Sequence, residues 1–195
     1  MEALRIISDE HQSLAGILHA IRYMLKQVAA GALEPDLPLF QAMVHYLEAY
    51  AENRHHPKED VLFGYLARRS GDGADALAEL AAQHADAPQR IAALQAALAG
   101  FVADPARFAD FRAAFERYAD FYRGHMLLEE NVMLPLLRRH LTQEDWAEVD
   151  AEFAAEMAAK SGRDGKSENF SAMFSRLVEC APAPLGFGPR PYGAA

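Results

Sequence analysis

The chain has 195 residues, enough for one domain with a substantial core and hardly for two. Its formal net charge of −9 disfavours non-specific binding to nucleic acid or to an anionic membrane, since both would repel it. A lone cysteine (Cys180), no apolar run near the roughly 18 residues that span a bilayer, and no signal-peptide layout over Met1 to Ile7 together predict a cytoplasmic protein.

The first helix is predicted from about Ala3 to Ala30, with Leu4, Ile7, Leu14, Leu18, Ile21 and Leu25 in alternating steps of three and four. His11 fills the missing slot of that stripe. A second helix starts near Pro38 and carries Phe40, Val44, Leu47, Ala51, His55, Glu59, Leu62 and Leu66 until Ser70-Gly71-Asp72-Gly73 stops it. The third holds Leu77, Leu80, His84, Ala87, Ile91, Leu94 and Leu98, and ends at Gly100 and Asp104-Pro105. The fourth is the most regular: Phe108, Phe111, Phe115, Tyr118, Tyr122, His125, Glu129, Val132 and Leu136.

Thr142 opens a short fifth helix, with Asp145 near the capping-box position and Trp146 placed to cover an end of the bundle. From about Ser161 the composition shifts to Gly, Ser and Lys. An apolar-periodic piece, Phe170 to Val178, follows, and then a Pro- and Gly-rich stretch expected to be extended or disordered. No strand-like alternation appears. The expectation is all-α: residues 1–160 as an antiparallel up-down-up-down four-helix bundle with a short fifth helix, and residues 161–195 as a partly irregular tail.

His11, His55, His84 and His125 each interrupt an apolar stripe on a different helix, and two have a glutamate four residues on: Glu59 and Glu129. Residues four apart share a helix face, about 40° apart, so each pair can present a nitrogen and a carboxylate to one cluster. Counted from the connections between helices, these residues lie within a turn or two of a common level. Four nitrogens and two carboxylates without thiolate suit iron or manganese, with zinc as an alternative. Taken singly, His11 or His84 is better read as a hydrogen-bonded core histidine, and Glu59 and Glu129 as part of a solvated face. Glu129 nevertheless falls on an apolar stripe, where an unpaired carboxylate would be costly to bury. The coincidence of all six carries the metal reading.

Two assignments stay open. His56 adjoins His55, and Pro57 disturbs the helix there, so His56 either supports the ligands from outside or trades roles with His55. Glu130 replaces Glu129 if the fourth helix rotates near Pro135. His19, His45 and His140 fall off the stripes and are read as surface or bundle-end residues, and the aromatic run Phe108 to Tyr122 as core.

Asp9-Glu10-His11, His55-His56-Pro57-Lys58-Glu59-Asp60 before Leu62-Phe63, His84, His125-Met126-Leu127-Leu128-Glu129-Glu130 before Leu134-Pro135, and Asp145-Trp146 resemble the hemerythrin-like HHE cation-binding family over roughly residues 1 to 155. The resemblance implies a four-helix bundle holding a non-haem di-iron centre, bridged by carboxylates and by an oxo or hydroxo group. It would make His11, His55, Glu59, His84, His125 and Glu129 the ligands. Oxygen-carrying members place a second histidine four residues after the first on the third helix, where this chain has Pro88. The resemblance therefore favours members with four histidines and two glutamates, which handle oxidative or nitrosative damage or sense iron and oxygen, over simple oxygen carriage.

The expected function is a di-iron protein that binds, senses or reduces a small diatomic ligand or peroxide, such as O₂, NO or H₂O₂. The alternatives are an iron- or oxygen-responsive binding module, with residues 161–195 as effector, and a structural bundle holding zinc or no metal. A homodimer is compatible with either, and no protein partner is indicated. No nucleophilic triad, phosphate-cradling loop or dinucleotide fingerprint is present.

Overall fold

A computed structural model describes residues 1–162 and 170–186, and among them the chain is helical with no strand. The helices are α1 (Glu2–Ala29), α2 (Leu37–Tyr50), α3 (His56–Arg69), α4 (Ala74–Ala103), α5 (Phe108–Leu128), α6 (Leu134–His140), α7 (Gln143–Gly162) and α8 (Phe170–Cys180). Asp36 caps α2 by accepting from the Leu39 amide at 3.0 Å, and Pro38 occupies its first turn, where a missing N–H costs nothing. Gly73 enters α4 at φ +80, a left-handed conformation that favours glycine.

The second and fourth predicted helices are each divided. A π-helical turn, Ala51–His55, joins α2 to α3, and another, Glu129–Met133, joins α5 to α6. The cause is the same in both rods. Pro57 and Pro135 have no N–H to offer the carbonyls four residues back, on Asn53 and Asn131, and their rings would crowd those carbonyls. Both carbonyls lie inside the widened turns. Such turns recur at functional sites.

Helix α1 packs on α2 and α5, α2 on α4, α3 on α4 and α6, and α4 on α5. The interior has two apolar parts. One gathers Leu14, Ile21 and Leu25 of α1, Phe40 and Leu47 of α2, Ile91, Leu94 and Leu98 of α4, and Phe111, Phe115 and Tyr122 of α5. The other gathers Leu4 and Ile7, Leu62 and Leu66, Leu80, Met133, Leu134 and Leu137 with Trp146, Val149 and Phe153 of α7. Truncating a fully buried leucine such as Leu66 to alanine should cost about 2–5 kcal/mol.

Helix α7 runs to Gly162, longer than the short fifth helix expected, because Trp146, Val149 and Phe153 give it a face to bury against α1 and α3. Helix α8, the apolar-periodic piece, lies along α2 and buries Leu177. Residues 182–186 form turns, and the rest of the expected irregular tail, 163–169 and 187–195, lies outside the described residues.

The start of α7 is fixed by a reciprocal cap. Thr142 N donates to Asp145 Oδ2 (2.9 Å), Asp145 N donates to Thr142 Oγ1 (3.2 Å), and Arg69 of α3 reaches both Asp145 oxygens at 2.8 Å. The Arg69 bonds, followed by the Thr142 amide, hold the Asp145 carboxyl at about 2. A depressed folded-state value means stability that is present above the unfolded value, about 3.9, and lost as pH falls toward 2. D145N should therefore lower Tm at neutral pH by a few degrees, and thermal melts of the two proteins should converge as pH drops through that window. A Tm gap unchanged down to about pH 2 would show the ion pair contributes nothing.

Candidate metal centre

Between the two apolar parts lies a polar layer to which every main rod contributes. On α1 it is His11, between Ile7 and Leu14. On the α2–α3 rod it is His55, His56 and Glu59, between Ala51 and Leu62. On α4 it is His84, between Leu80 and Ala87, and on the α5–α6 rod His125 and Glu129, between Tyr122 and Met133. His55 and Glu129 have no exposure at all, Glu59 and His125 almost none, and His84 is the most open.

These side chains form two groups, in each of which the candidate ligand atoms lie within 4.8 Å of one another. The first is His11, His55, Glu59 and Glu129. The second is His56, Glu59, His84 and His125. Glu59 belongs to both: Oε1 is 3.2 Å from His11 Nε2 and 3.1 Å from His55 Nε2, while Oε2 is 3.5 Å from His84 Nε2. Glu129 spans them as well, with Oε2 3.2 Å from His11 Nε2 and Oε1 3.3 Å from His125 Nε2. The rings of His11 and His55 meet edge to face at 4.8 Å, and those of His56 and His84 stack at 4.3 Å.

All six residues expected as ligands are thus brought together, and His56 joins them. Helical geometry explains why the neighbour of a candidate ligand is itself one. At about 100° per residue, His56 is turned about 100° from His55, and Glu59 falls about 40° from His55, between the two imidazoles. A His-His-x-x-Glu segment therefore aims one imidazole at each group and a carboxylate between them. Counting only four-residue spacings misses this, because adjacent residues never share one face but can serve two adjacent centres.

The Nδ1 edges face outward, each to an oxygen. His11 pairs with Glu130 (2.8 Å), His55 with Glu10 (3.0 Å), His84 with Asp60 (3.1 Å) and His125 with Gln83 (2.8 Å), while His56 lies 3.5 Å from Glu52. An acceptor on Nδ1 places the proton there and leaves Nε2 as the lone pair facing inward, the arrangement metal-binding histidines use. Glu130 is therefore an outer partner of His11 and is not in either group. Glu10, Asp60, Gln83 and Glu130 each adjoin an inward-facing residue in sequence, the one signal that could have marked them. His140 sits 2.9 Å from Asp72, and His19 and His45 are exposed.

Inside the layer, Nε2 of His55, His56, His84 and His125 and oxygens of Glu59 and Glu129 are buried without a hydrogen-bond partner. Each such group costs about 1–3 kcal/mol, more where it is charged. Contacts of 3.1–3.5 Å without hydrogen-bond alignment are those of donors arrayed around points. A nitrogen- and carboxylate-rich set of this kind fits transition-metal cations.

Electrostatics divides the imidazoles. Burial opposes protonation of His11, but Glu129 and Glu59 outweigh it and hold the imidazole at about 11. Burial likewise opposes Glu59 and Glu10 at His55, which still rises to about 9. In the second group burial, reinforced by like charge from His84, lowers His56 to about 3 and His125 to about 4, while at His84 itself burial is outweighed by Glu59 and Asp60, which raise it. Burial pushes Glu129 up, with Glu59 adding to it, whereas Glu59 overcomes its own burial and is held low by the facing imidazoles of His55, His11 and His84. Without a cation, protons on the first group balance the buried carboxylates. Metal must displace them.

A family model for the hemerythrin HHE cation-binding domain matches residues 2–137, and the chain belongs to that family. No curated protein and no solved structure matches it. Among the described residues no helix is long and apolar enough to cross a membrane. Within the matched span, H56A should lower the metal-to-protein ratio by about half, if each group holds one ion and its outer support survives. Elemental analysis after metal loading reads this, and H45A, at an exposed site, should leave the ratio unchanged. An H56A protein with full metal content would remove His56 from the set.

Proposed function

We propose that this hemerythrin-family chain holds two iron ions in its polar layer and uses them to bind, sense or reduce a small oxidant such as O₂, NO or peroxide. The scaffold in this reading is an antiparallel up-down-up-down four-helix bundle, with α1, α2–α3, α4 and α5–α6 as its rods. The observation that carries the proposal is the pair of four-residue groups sharing Glu59, each closed on its outer side by oxygen partners to Nδ1. Two redox-active ions side by side would supply electrons jointly to a small oxidant. Iron is preferred to zinc because five imidazoles and two carboxylates exceed what tetrahedral zinc pairs need.

The donors are unevenly divided. Around two ions, His11 and His55 would offer two nitrogens to one, and His56, His84 and His125 three to the other. The side with fewer protein donors is the side with room for an outside molecule. His56 also offsets Pro88. The nitrogen that oxygen carriers draw from that position of the third helix has a substitute here on the second, so Pro88 no longer sets reversible carriage aside.

The chain's own residues do the rest. Apolar side chains above and below, such as Ile7, Leu14, Leu62, Leu80 and Met133, exclude water from the layer. The outer carboxylates and Gln83 fix the imidazole tautomers in advance, so little rearrangement accompanies loading.

Protein purified without added metal should contain about two irons per chain and show near-ultraviolet and visible charge-transfer absorption. H125A should lower both, and chelation should lower Tm, since the orphaned donors then lose their partner. Retained iron with an unaltered spectrum in H125A, or a wild-type protein holding only zinc or no metal, would contradict the proposal.

A further inference from the structure

Among the outer partners, Glu10 stands apart. Glu52, Glu130 and Asp60 have side chains 30%, 43% and 68% exposed, whereas that of Glu10 is 9% exposed. Its second oxygen meets the ammonium of Lys58, itself buried, at 2.5 Å. Lys58 also donates to the Arg54 carbonyl at 2.6 Å, inside the π-helical turn that delivers His55. Tyr50 is a further polar neighbour of Glu10. The result is a buried series, Lys58 to Glu10 to His55, ending at the group with fewer protein donors.

A carboxylate accepting the Nδ1 proton of an imidazole draws that proton outward and makes Nε2 a stronger electron donor. A stronger donor favours the more highly charged state of the ion it holds. An ammonium on the other carboxylate oxygen pulls electron density back and weakens that effect, and burial keeps solvent from screening either charge. We propose that Lys58, acting through Glu10, sets the donor strength of His55 and with it the reduction potential of the ion held by His11 and His55. Lys58 is a positioning and tuning residue, since it touches no ligand atom that faces the ion. Its adjacency to Glu59 in sequence is incidental: residue 58 is turned about 100° away and points at α1. The inference rests on the proposed metal-holding function.

The test is a spectroelectrochemical titration of the metal-loaded full chain, followed at its visible band, for wild type, K58M, E10Q, the E10Q/K58M double variant and K58R, with metal content measured in each. K58M leaves the carboxylate unopposed and should lower the potential. E10Q leaves the cation unopposed and should raise it. At a fixed applied potential the oxidised-to-reduced ratio should move about tenfold in opposite directions, on the scale of outer-partner effects. The double variant should return toward wild type, and K58R, which keeps the charge, should stay close to it. Damage to packing alone would move K58M and E10Q the same way or strip both of metal, and either result overturns the inference. If K58M does not fold, the upward shift of E10Q decides by itself, because glutamine keeps the shape of the side chain. Full metal content with unmoved potentials overturns the inference alone, whereas a wild-type protein without redox-active metal overturns it together with the proposed function.

Discussion

Two carboxylates and five imidazoles buried between two apolar cores create an electrostatic demand that the rest of the fold is arranged around. Glu59 and Glu129 lie with oxygens facing the same imidazole, that of His11, both out of water. Positive charge must be supplied to that layer, as protons on His11 and His55 or as cations. Protons answer the need only partly, since they leave Nε2 of His56, His84 and His125 buried without partners. A cation in each group would satisfy both carboxylates and all five nitrogens together. Stability and chemistry are therefore linked in this chain: the groups least comfortable in its interior are those that would do its work.

The geometry that meets this demand comes from backbone irregularity at two prolines. Pro57 and Pro135 each stand just beyond a π-helical turn, and each turn carries a residue of the polar layer. The first turn ends on His55 and the second begins on Glu129. In the first rod the widened turn also brings the Arg54 carbonyl to Lys58, which ties local backbone shape to the buried charge series behind His55. Removing the proline would do more than straighten a helix. It would change where side chains of the polar layer point.

Much of this was legible from the residues alone. Helical periodicity placed His11, His84 and His125 on inward stripes because each stands where a leucine would otherwise stand, and the glycine and proline clusters set the connections. The division of the second and fourth rods was not legible as such, since a proline signals disturbance without saying whether the helix kinks, stops or widens. The sequence does not single out His56, because its neighbour His55 already matches the four-residue spacing of His125 and Glu129. Recognising it needs the idea of two centres at different azimuths, which one hydrophobic stripe does not suggest. The outer partners were harder still. Glu10, Gln83 and Glu130 resemble ordinary helix-surface residues until the neighbouring helix is in place, and only long-range packing shows which imidazole each one meets. The length of α7 is not legible either, because its apolar positions, Val149 and Phe153, acquire a purpose only against α1 and α3.

The central claim is that cations occupy the meeting points of the buried imidazoles and carboxylates. Anomalous diffraction at the iron edge, from crystals of the iron-loaded protein, tests it most directly. The account predicts two separate peaks, one enclosed by His11, His55, Glu59 and Glu129 and the other by His56, Glu59, His84 and His125. A single peak, or density only at surface carboxylates with the five imidazoles bonded to water or to one another, would contradict it.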